Sequence, residues 1–324
     1  MFLKDKKILF VGIGFYDYED IIKRTLSSYG AEVTYFSSVQ TNVLARILNK
    51  LKLHAWALCI QQSLKRKNIE SKKGNNIIFI VKGQNLQQSD IDLMRLYNPH
   101  AKFIIYLWDS LVRHENRELL LNNFDNIWSF DREDCIKNNK LKFRPLFFRT
   151  ISHLREAKYT MSFIGWMHSD RLHILKEIRK QLKKRGETYC FKLYLSKVEY
   201  IYNRYFCHSL KKEDEEFIIT NPLKYSDVQD IMNASKTVLD IAHPLQSGLT
   251  MRTIESLAAG CFLITTNPDI RNYKEIDINS YYVMDRKELK LPHFSKIGYY
   301  KQNNTFFKYY SIEGFIEEIF NTGI

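Results

Sequence analysis

The sequence predicts an α/β protein of two similar halves, each a parallel β-sheet with helices packed on it. Apolar runs that read as buried strands alternate with stretches of helical periodicity: KKILFVGIGF, AEVTYF, NIIFIVKG and AKFIIYLWD early on, then YTMSFIGW, FKLYL, TVLDIAHP and CFLITT. The length of 324 residues suits two domains, each with its own core. The stretch from Gln246 to Asn267 reads as a polar-glycine loop, a short helix and a buried strand, a unit typical of such sheets.

Taken in order, the first strand ends at Gly12 and Gly14, and a helix from about Tyr18 to Tyr29 stops at Gly30. AEVTYF is the second strand, a long basic helical region spans Thr41 to Asn68, and NIIFIVKG is a third strand ending at Gly83. Ser89 is placed to cap the next helix, with Asp90 and Asp92 in its first turn and Pro99 beyond its end. The spacing of Asp90 and Asp92 also suits a metal-holding pair, but their place beside a cap accounts for them through the helix dipole, so no metal is expected. AKFIIYLWD and NIWSFD supply two more strands, and FRPLFFRTISH leads to a boundary near Thr150.

The second half opens with YTMSFIGW, a helix over Asp170 to Arg185 with basic residues toward its end, and the strand FKLYL. Asn221-Pro222 marks a loop, Ser226 caps a helix through Asn233, and TVLDIAHP leads into the Gln246 loop. A helix over Thr250 to Ala259 then ends at Gly260. SIEGFIEEIF reads as an amphipathic terminal helix.

Parallel sheets with right-handed crossovers bind ligands beyond the C-terminal ends of their strands. In the second half, the Gln246-Ser247-Gly248 loop is expected to face solvent, with Gly248 letting backbone approach a ligand. The following helix N-terminus offers N–H groups to a diphosphate. Gln246, Thr250 and Arg252 complete this anion site, an Arg fork suiting phosphate oxygens, and Leu249 joins the same set. The competing reading is an ordinary packing unit with a surface pair of Arg252 and Glu255. Gly165 and Trp166 end the half's first strand and face the diphosphate from beneath, with Arg171 in reach; alternatively they are a tight turn and a surface Arg. His243 is either a donor to phosphate or sugar or a buried, satisfied histidine. The nucleotide base is expected near Asn221 to Tyr225.

In the first half, the strand ends carry Gly14, Lys82 and Asp109. Asp109 follows FIIYLW and is the preferred general base, with Trp108 expected to desolvate it; its structural alternative is a helix cap. Asp17 is the second candidate. Tyr16 and Tyr18 beside it would stack on a bound ligand or pack in the core, and Gly14 and Lys82 complete the set at these strand ends.

Five cysteines, Cys59, Cys135, Cys190, Cys207 and Cys261, show neither disulfide nor zinc spacing, which reads as a reducing cytoplasm. No apolar run has the length of a membrane span, and ILFVGIGF is too short and strand-like for a signal peptide. The net charge of +13 draws the chain toward phosphate-rich surfaces. Its basic residues concentrate between Arg46 and Lys73, interleaved with Trp56, Leu58, Ile60 and Leu64, the pattern of a helix lying on an anionic membrane. A dinucleotide-binding oxidoreductase fails because Asp17 stands where the third fingerprint glycine belongs. A nucleic-acid-binding module fits the charge but lacks a docking motif and leaves the Gln246 to Gly260 constellation unexplained.

That constellation, with VLDIAHP before it, resembles the donor-binding half of GT-B glycosyltransferases of bacterial surface polysaccharide assembly. FYDYE at Phe15 to Glu19, YLWDS at Tyr106 to Ser110, SFIGWMHSDRLHIL at Ser162 to Leu175 and LDIAHPLQSGLTMRTIE at Leu239 to Glu255 resemble lipopolysaccharide core biosynthesis proteins of the RfaS type. The resemblance implies two Rossmann-like domains with parallel sheets facing across a cleft. An acceptor domain would span 1–150 and a donor domain 151–310, with 311–324 returning to the first. It implies metal-independent transfer of a sugar, rhamnose by analogy, from a nucleotide-sugar co-substrate such as dTDP-rhamnose. The acceptor would be lipopolysaccharide core or a lipid-linked saccharide at the cytoplasmic face of the inner membrane, with capsule or O-antigen as the alternative. Glu255 matches the ribose-holding residue. Ser247 stands where retaining members carry a sugar-contacting Glu, which leaves the stereochemical course open.

Overall fold

Ile77–Val81, the sequence IIFIV, is buried at every position, as a central strand covered on both faces requires. The computed structural model describes residues 2–14, 18–39, 43–50, 52–151 and 156–321. The chain divides into two compact units, one of Met1–Leu146 with Ile312–Ile324 and the other of Phe147–Ser311.

In the first unit, β1 (Lys7–Gly12), α1 (Tyr18–Ser28), β2 (Glu32–Ser37), α2 (Val43–Lys50), α3 (His54–Glu70), β3 (Ile77–Val81), α4 (Gln88–Tyr97), β4 (Lys102–Leu107), α5 (Arg117–Asn122), β5 (Asn126–Ser129), α6 (Arg132–Lys137) and β6 (Leu141–Phe143) alternate along the chain. The strands pair in the order β2-β1-β3-β4-β5-β6, all parallel. Leu9, Ile78, Ile80, Ile105 and Met94 lie in its main core cluster. The C-terminal helix Ile312–Asn321 closes the opposite side of the sheet: Phe320 meets the Phe79 ring at 5.1 Å, Phe315 meets Tyr106 at 4.7 Å, and Glu318 pairs with the buried Arg144 at 3.0 Å.

The second unit runs through β7 (Tyr159–Trp166), α7 (Arg171–Lys184), β8 (Tyr189–Tyr194), α8 (Lys197–Ile201), β9 (Ile218–Ile219), α9 (Tyr225–Asn233), β10 (Ser235–Asp240), α10 (Met251–Ala258), β11 (Phe262–Thr265) and β12 (Tyr281–Val283). Its sheet order is β12-β11-β10-β7-β8-β9, again all parallel. Met161, Phe163, Ile174, Phe191, Leu239 and Ile264 form its core.

Several expectations about elements need correction. The basic helical region is two helices, α2 and α3, separated at Lys52, whose φ of 61° no α-helix accommodates. The α4 helix begins before Ser89: Gln87 is its cap, and Asp90 accepts from the Gln87 N–H at 2.9 Å while pairing with Lys65 at 2.6 Å. Lys65 is therefore a buried partner rather than a surface charge. Ser226 lies inside α9, and Asp227 reaches back to the cap residue Lys224 at 3.2 Å. The unit boundary falls at Leu146 and Phe147 rather than at 150.

Candidate functional site

In the second unit, the C-terminal end of β10 is Asp240, a buried carboxylate that accepts hydroxyl bonds from Thr250 at 3.2 Å, Thr253 at 2.7 Å and Thr265 at 3.3 Å. These bonds satisfy a charge that burial would otherwise penalise, and fix the loop between β10 and α10 from below. Asn267, just past β11, pins the same loop by donating to the carbonyls of Ser247 at 2.8 Å and Gly248 at 3.4 Å. Thr250 caps α10, accepting from the Thr253 N–H at 3.2 Å. The expected solvent-facing loop is thus only partly open: Gln246 and Ser247 are half-buried, while Gly248 and Leu249 are buried. Leu249 has no side-chain surface to offer a ligand, so any contribution is through backbone.

Arg171 is buried and is not the surface arginine of the alternative reading. Its Nε and Nη2 donate to the Ile241 carbonyl at 3.2 and 2.8 Å, and Nη1 donates to the Trp166 carbonyl at 3.0 Å, joining the ends of β7 and β10. Gly165 leaves room for it, since a Cβ there would lie 3.1 Å from Arg171 Nη1 and 3.0 Å from the Phe163 ring. Burial first, and then the nearby charge of Arg252, lower the Arg171 pKa to about 10. Arg252, half-buried at the start of α10, lies over the same Phe163 ring, 5.6 Å from its centroid. Arg286, after β12, grips Asp170 with two bonds of 2.8 and 2.5 Å and donates to the Ala242 carbonyl at 2.9 Å. Three guanidinium groups therefore gather at the strand ends, a positive field suited to an anionic ligand.

Trp166 is 50% exposed at the tip of β7, its ring edge-on to Tyr194 at 4.6 Å. His243 is half-buried, and its Nδ1 accepts from the Leu245 N–H at 3.2 Å, which places the proton of the neutral ring on Nε2. The His168 ring stands 5.5 Å away.

Glu255 is buried, not part of a surface pair with Arg252. Its carboxylate accepts from Arg149 Nε at 2.9 Å, and the Arg149 guanidinium lies 3.0 Å from the centre of the Tyr225 ring. Burial pushes the Glu255 pKa above its ordinary value, with Arg149 the strongest opposing influence. Burial likewise raises Tyr225, to about 12, with the Glu255 charge next in weight.

In the first unit, the ends of β3 and β4 bring Lys82 and Asp109 together at 2.9 Å, and Arg113 takes the other Asp109 oxygen at 2.9 Å. The expected desolvating partner, Trp108, instead packs its ring against Tyr18 at 5.7 Å and Tyr106 at 6.0 Å. His114, whose Nε2 lies 3.3 Å from the Asp109 carbonyl, has its pKa lowered by burial. Tyr18 is buried, its ring packed against Trp108, which matches the core-packing reading of this tyrosine. At Gly14, the turn N–H groups are already engaged: Glu19 accepts from Ile13 at 2.6 Å and from Gly14 at 3.1 Å, and takes a short bond from the Tyr35 hydroxyl. A chain carboxylate thus sits where a dinucleotide fold would place pyrophosphate. Tyr16 and Asp17 lie outside the described residues. Asp240, Arg149, Arg286, Glu19 and His114 were missed from sequence; only Asp240, ending VLD, carried a local signal.

Residues 175–302 match a family described as glycosyl transferase-like. No curated protein matches the chain. Among solved structures, the chain is similar to Methanocaldococcus jannaschii UDP-GlcNAc 2-epimerase in complex with UDP-GlcNAc and UDP, at 11% identity, covering 98% of this chain and 100% of that one, with a TM-score of 0.58. It is similar to Anabaena HepE in complex with UDP and glucose, at 12% identity, 98% and 89% coverage and a TM-score of 0.55. A glycosyltransferase from Rickettsia africae aligns at 12% identity, 98% and 88% coverage and a TM-score of 0.51. These structures share the fold, two parallel six-stranded α/β units of the GT-B kind, and the family match identifies the enzyme class as glycosyltransferase.

Proposed function

We propose that the second unit binds a nucleoside-diphosphate sugar and that the first presents an acceptor hydroxyl, so that a sugar passes onto a bacterial surface polysaccharide. The observation that carries this reading is the gathering of Arg171, Arg252 and Arg286 around the ends of β7 and β10, beside the N-terminus of α10. Arg171 and Arg286 spend donors on carbonyls and set the backbone in place, while Arg252 is the cation turned toward a leaving diphosphate. His243 Nε2–H offers a further donor, Glu255 takes the ribose hydroxyls, and Trp166 gives an exposed aromatic face for base or sugar. UDP accompanies two of the similar proteins, which supports a nucleoside diphosphate as the ligand class.

On the acceptor side, Asp109 is the general base. Each of its oxygens already accepts from a cation, so one ion pair must open before the carboxylate can take a proton. Among the described residues no group of three or more His, Cys, Asp or Glu is placed to hold a metal. The residues that offset leaving-group charge in this reading are arginines and backbone N–H groups.

The finer reading is rhamnose transfer from dTDP-rhamnose to the lipopolysaccharide core at the cytoplasmic membrane face, with capsule or O-antigen as the alternative acceptor. The membrane part is supported by α2, α3 and the turn after them. Leu44, Ile47, Leu53, Trp56 and Leu58 are exposed there, and over 44–73 Glu70 is the single acidic residue among the basic ones. Among the described residues no helix is long and apolar enough to cross a membrane.

Incubating the protein with candidate nucleotide sugars, with and without saccharide acceptor, tests this reading. Transfer that needs acceptor supports it. Conversion of UDP-GlcNAc to its 2-epimer without acceptor would assign the activity of the archaeal neighbour instead, and stabilisation by oligonucleotide alone would favour a nucleic-acid-binding module. Mass spectrometry of lipopolysaccharide from cells lacking the protein decides the sugar: a missing deoxyhexose supports rhamnose, and an unaltered core moves the acceptor to capsule or O-antigen.

A further inference from the structure

A carboxylate that is to receive ribose hydroxyls must be ionised and held in one orientation, since a protonated carboxyl loses acceptor capacity and becomes a donor itself. Glu255 sits where neither condition is met by default. It is buried in the middle of α10, a place that disfavours its charged form. The group that opposes this most strongly comes from outside the helix and far away in sequence. Arg149 places Nε 2.9 Å from Glu255 Oε1, and both side chains are only 7% exposed.

The guanidinium is itself clamped. It lies over the ring of Tyr225, the first residue of α9, at 3.0 Å from the ring centre. The Tyr225 hydroxyl is held by Gln229 Nε2 at 2.8 Å and stands 3.3 Å from Thr150 Oγ1, and Gln229 also donates to Thr150 at 2.6 Å. The segment 149–150, helix α9 and helix α10 are thus joined through one stack of carboxylate, guanidinium and phenol ring. An arginine fits this place as lysine would not, because only a planar group can stack on the ring and aim an N–H at the carboxylate together.

We propose that Arg149 is a positioning residue for recognition of the nucleotide ribose: its ion pair holds the Glu255 carboxylate in one orientation and works against the burial that disfavours its charge, and so sets preference for a ribose carrying its hydroxyls. The inference rests on the donor reading above, in which Glu255 faces the ribose. Arg149 touches neither diphosphate nor transferred sugar in this arrangement.

The test compares the tightest binder among UDP, GDP, CDP and ADP with its 2′,3′-dideoxy form, by calorimetry on the full chain. The parent is expected to prefer the hydroxylated nucleotide by about 10-fold or more, from hydrogen bonds to a charged acceptor. Glu255→Gln and Arg149→Gln are both expected to bring that ratio close to one while leaving affinity for the dideoxy form within about 3-fold of the parent, an allowance for ordinary context effects. Arg149→Lys, which keeps charge without the planar fork, is expected to fall between, and it carries the test should Arg149→Gln not fold. An Arg149→Gln or Arg149→Lys protein that keeps the full ratio while Glu255→Gln loses it overturns the positioning role. A drop that is equal for both nucleotides also overturns it, by making Arg149 a general structural support. A parent that binds nucleotide with a ratio of one removes Glu255 from the ribose, a failure of the underlying reading and distinct from the first two.

Discussion

Lys82 and Asp109 meet at 2.9 Å across the ends of two neighbouring strands, and Lys82 reaches that distance from a left-handed backbone with φ of 71°. A lysine in that region is strained by roughly 1–2 kcal/mol, and Gly83 follows it with φ of 65°. Such strain persists only where surrounding structure holds it, and it concentrates at functional sites. Asp109 answers to Arg113 as well, so its two oxygens are divided between two cations.

Asp109→Asn is expected to lower turnover by about 100-fold or more, the usual contribution of a positioned general base. Nucleotide affinity should stay at the parent value, because the arginines assigned to the nucleotide all belong to the other unit. Steady-state kinetics beside calorimetry check both. Unchanged turnover would remove Asp109 from the chemistry and leave the pair as scaffolding.

Arg252→Ala should weaken donor binding by about 10- to 100-fold, the range for hydrogen bonds to a charged group. Stability should not fall with it. Removing the Arg252 charge relieves a repulsion with Arg171 and gives up an attraction to Glu255, so the two changes oppose each other in the ligand-free protein. A melting temperature close to the parent's, with impaired binding, is the expected combination. Parent-like affinity would place the diphosphate elsewhere.

The inner strands of both sheets were legible in the sequence because parallel strands buried on both faces are written as unbroken apolar runs, while the short edge strands β6, β9 and β12 carry no such run and were not read. Element ends were less so. Ser89 looked like a cap, yet the helix begins earlier because Asp90 can satisfy both the Gln87 N–H and the buried Lys65. Nothing local announces that Lys65, inside the run LKRKN, faces inward. The same limit applied at the site. Gly165, Thr250 and Arg252 stand where a strand-loop-helix unit puts them, so periodicity located them. Arg149 and Glu255 are separated along the chain and meet only through folding, so no spacing rule pairs them. The partners of Arg171 were not legible because its surroundings in sequence are polar, while the groups it binds are carbonyls at the ends of two strands.

Gly12→Ala should destabilise the first unit sharply. A Cβ there would lie 2.2 Å from Glu19 Oε1, and Glu19 cannot move without releasing the N–H groups of Ile13 and Gly14. A loss of about 2–3 kcal/mol in urea unfolding is expected, the scale of a hydrogen bond to a charged group in a buried site. The double variant Gly12→Ala with Glu19→Ala should be no worse than Glu19→Ala alone, since the clash is gone. Additive losses would mean the glycine serves the turn independently of Glu19.

Glu255 also dictates a pH dependence. Its pKa in the folded protein lies above the ordinary glutamate value, so folding favours its protonated form. That contribution is fully present below the unfolded pKa of about 4.3 and is lost as pH rises through the folded value. Glu255→Gln cannot titrate. The melting-temperature advantage of the parent over this variant should therefore shrink as pH is raised from about 4.3. A difference that is flat across this range would show that Arg149 offsets the burial penalty completely.

The proposed membrane attachment can be tested apart from folding because the structure distinguishes Lys65 from its neighbours. Lys65 pairs with Asp90 inside the unit, so Lys65→Glu would set two carboxylates together in a buried place and is expected to cost about 3–5 kcal/mol of stability. Arg66, Lys67 and Lys73 are exposed. Reversing these three to Glu should leave the melting temperature within a few degrees and abolish binding to anionic vesicles at low salt, since each basic residue contributes about 1 kcal/mol near such a surface. Trp56, 68% exposed at the start of α3, offers the complementary test. Trp56→Ala should weaken vesicle binding at high salt as well as low, because insertion of an aromatic ring at the interface is not screened. Vesicle sedimentation at two salt concentrations reads both effects. If the triple reversal binds as the parent does, another surface meets the membrane; if Trp56→Ala fails only at low salt, the contact is electrostatic and no ring enters the bilayer.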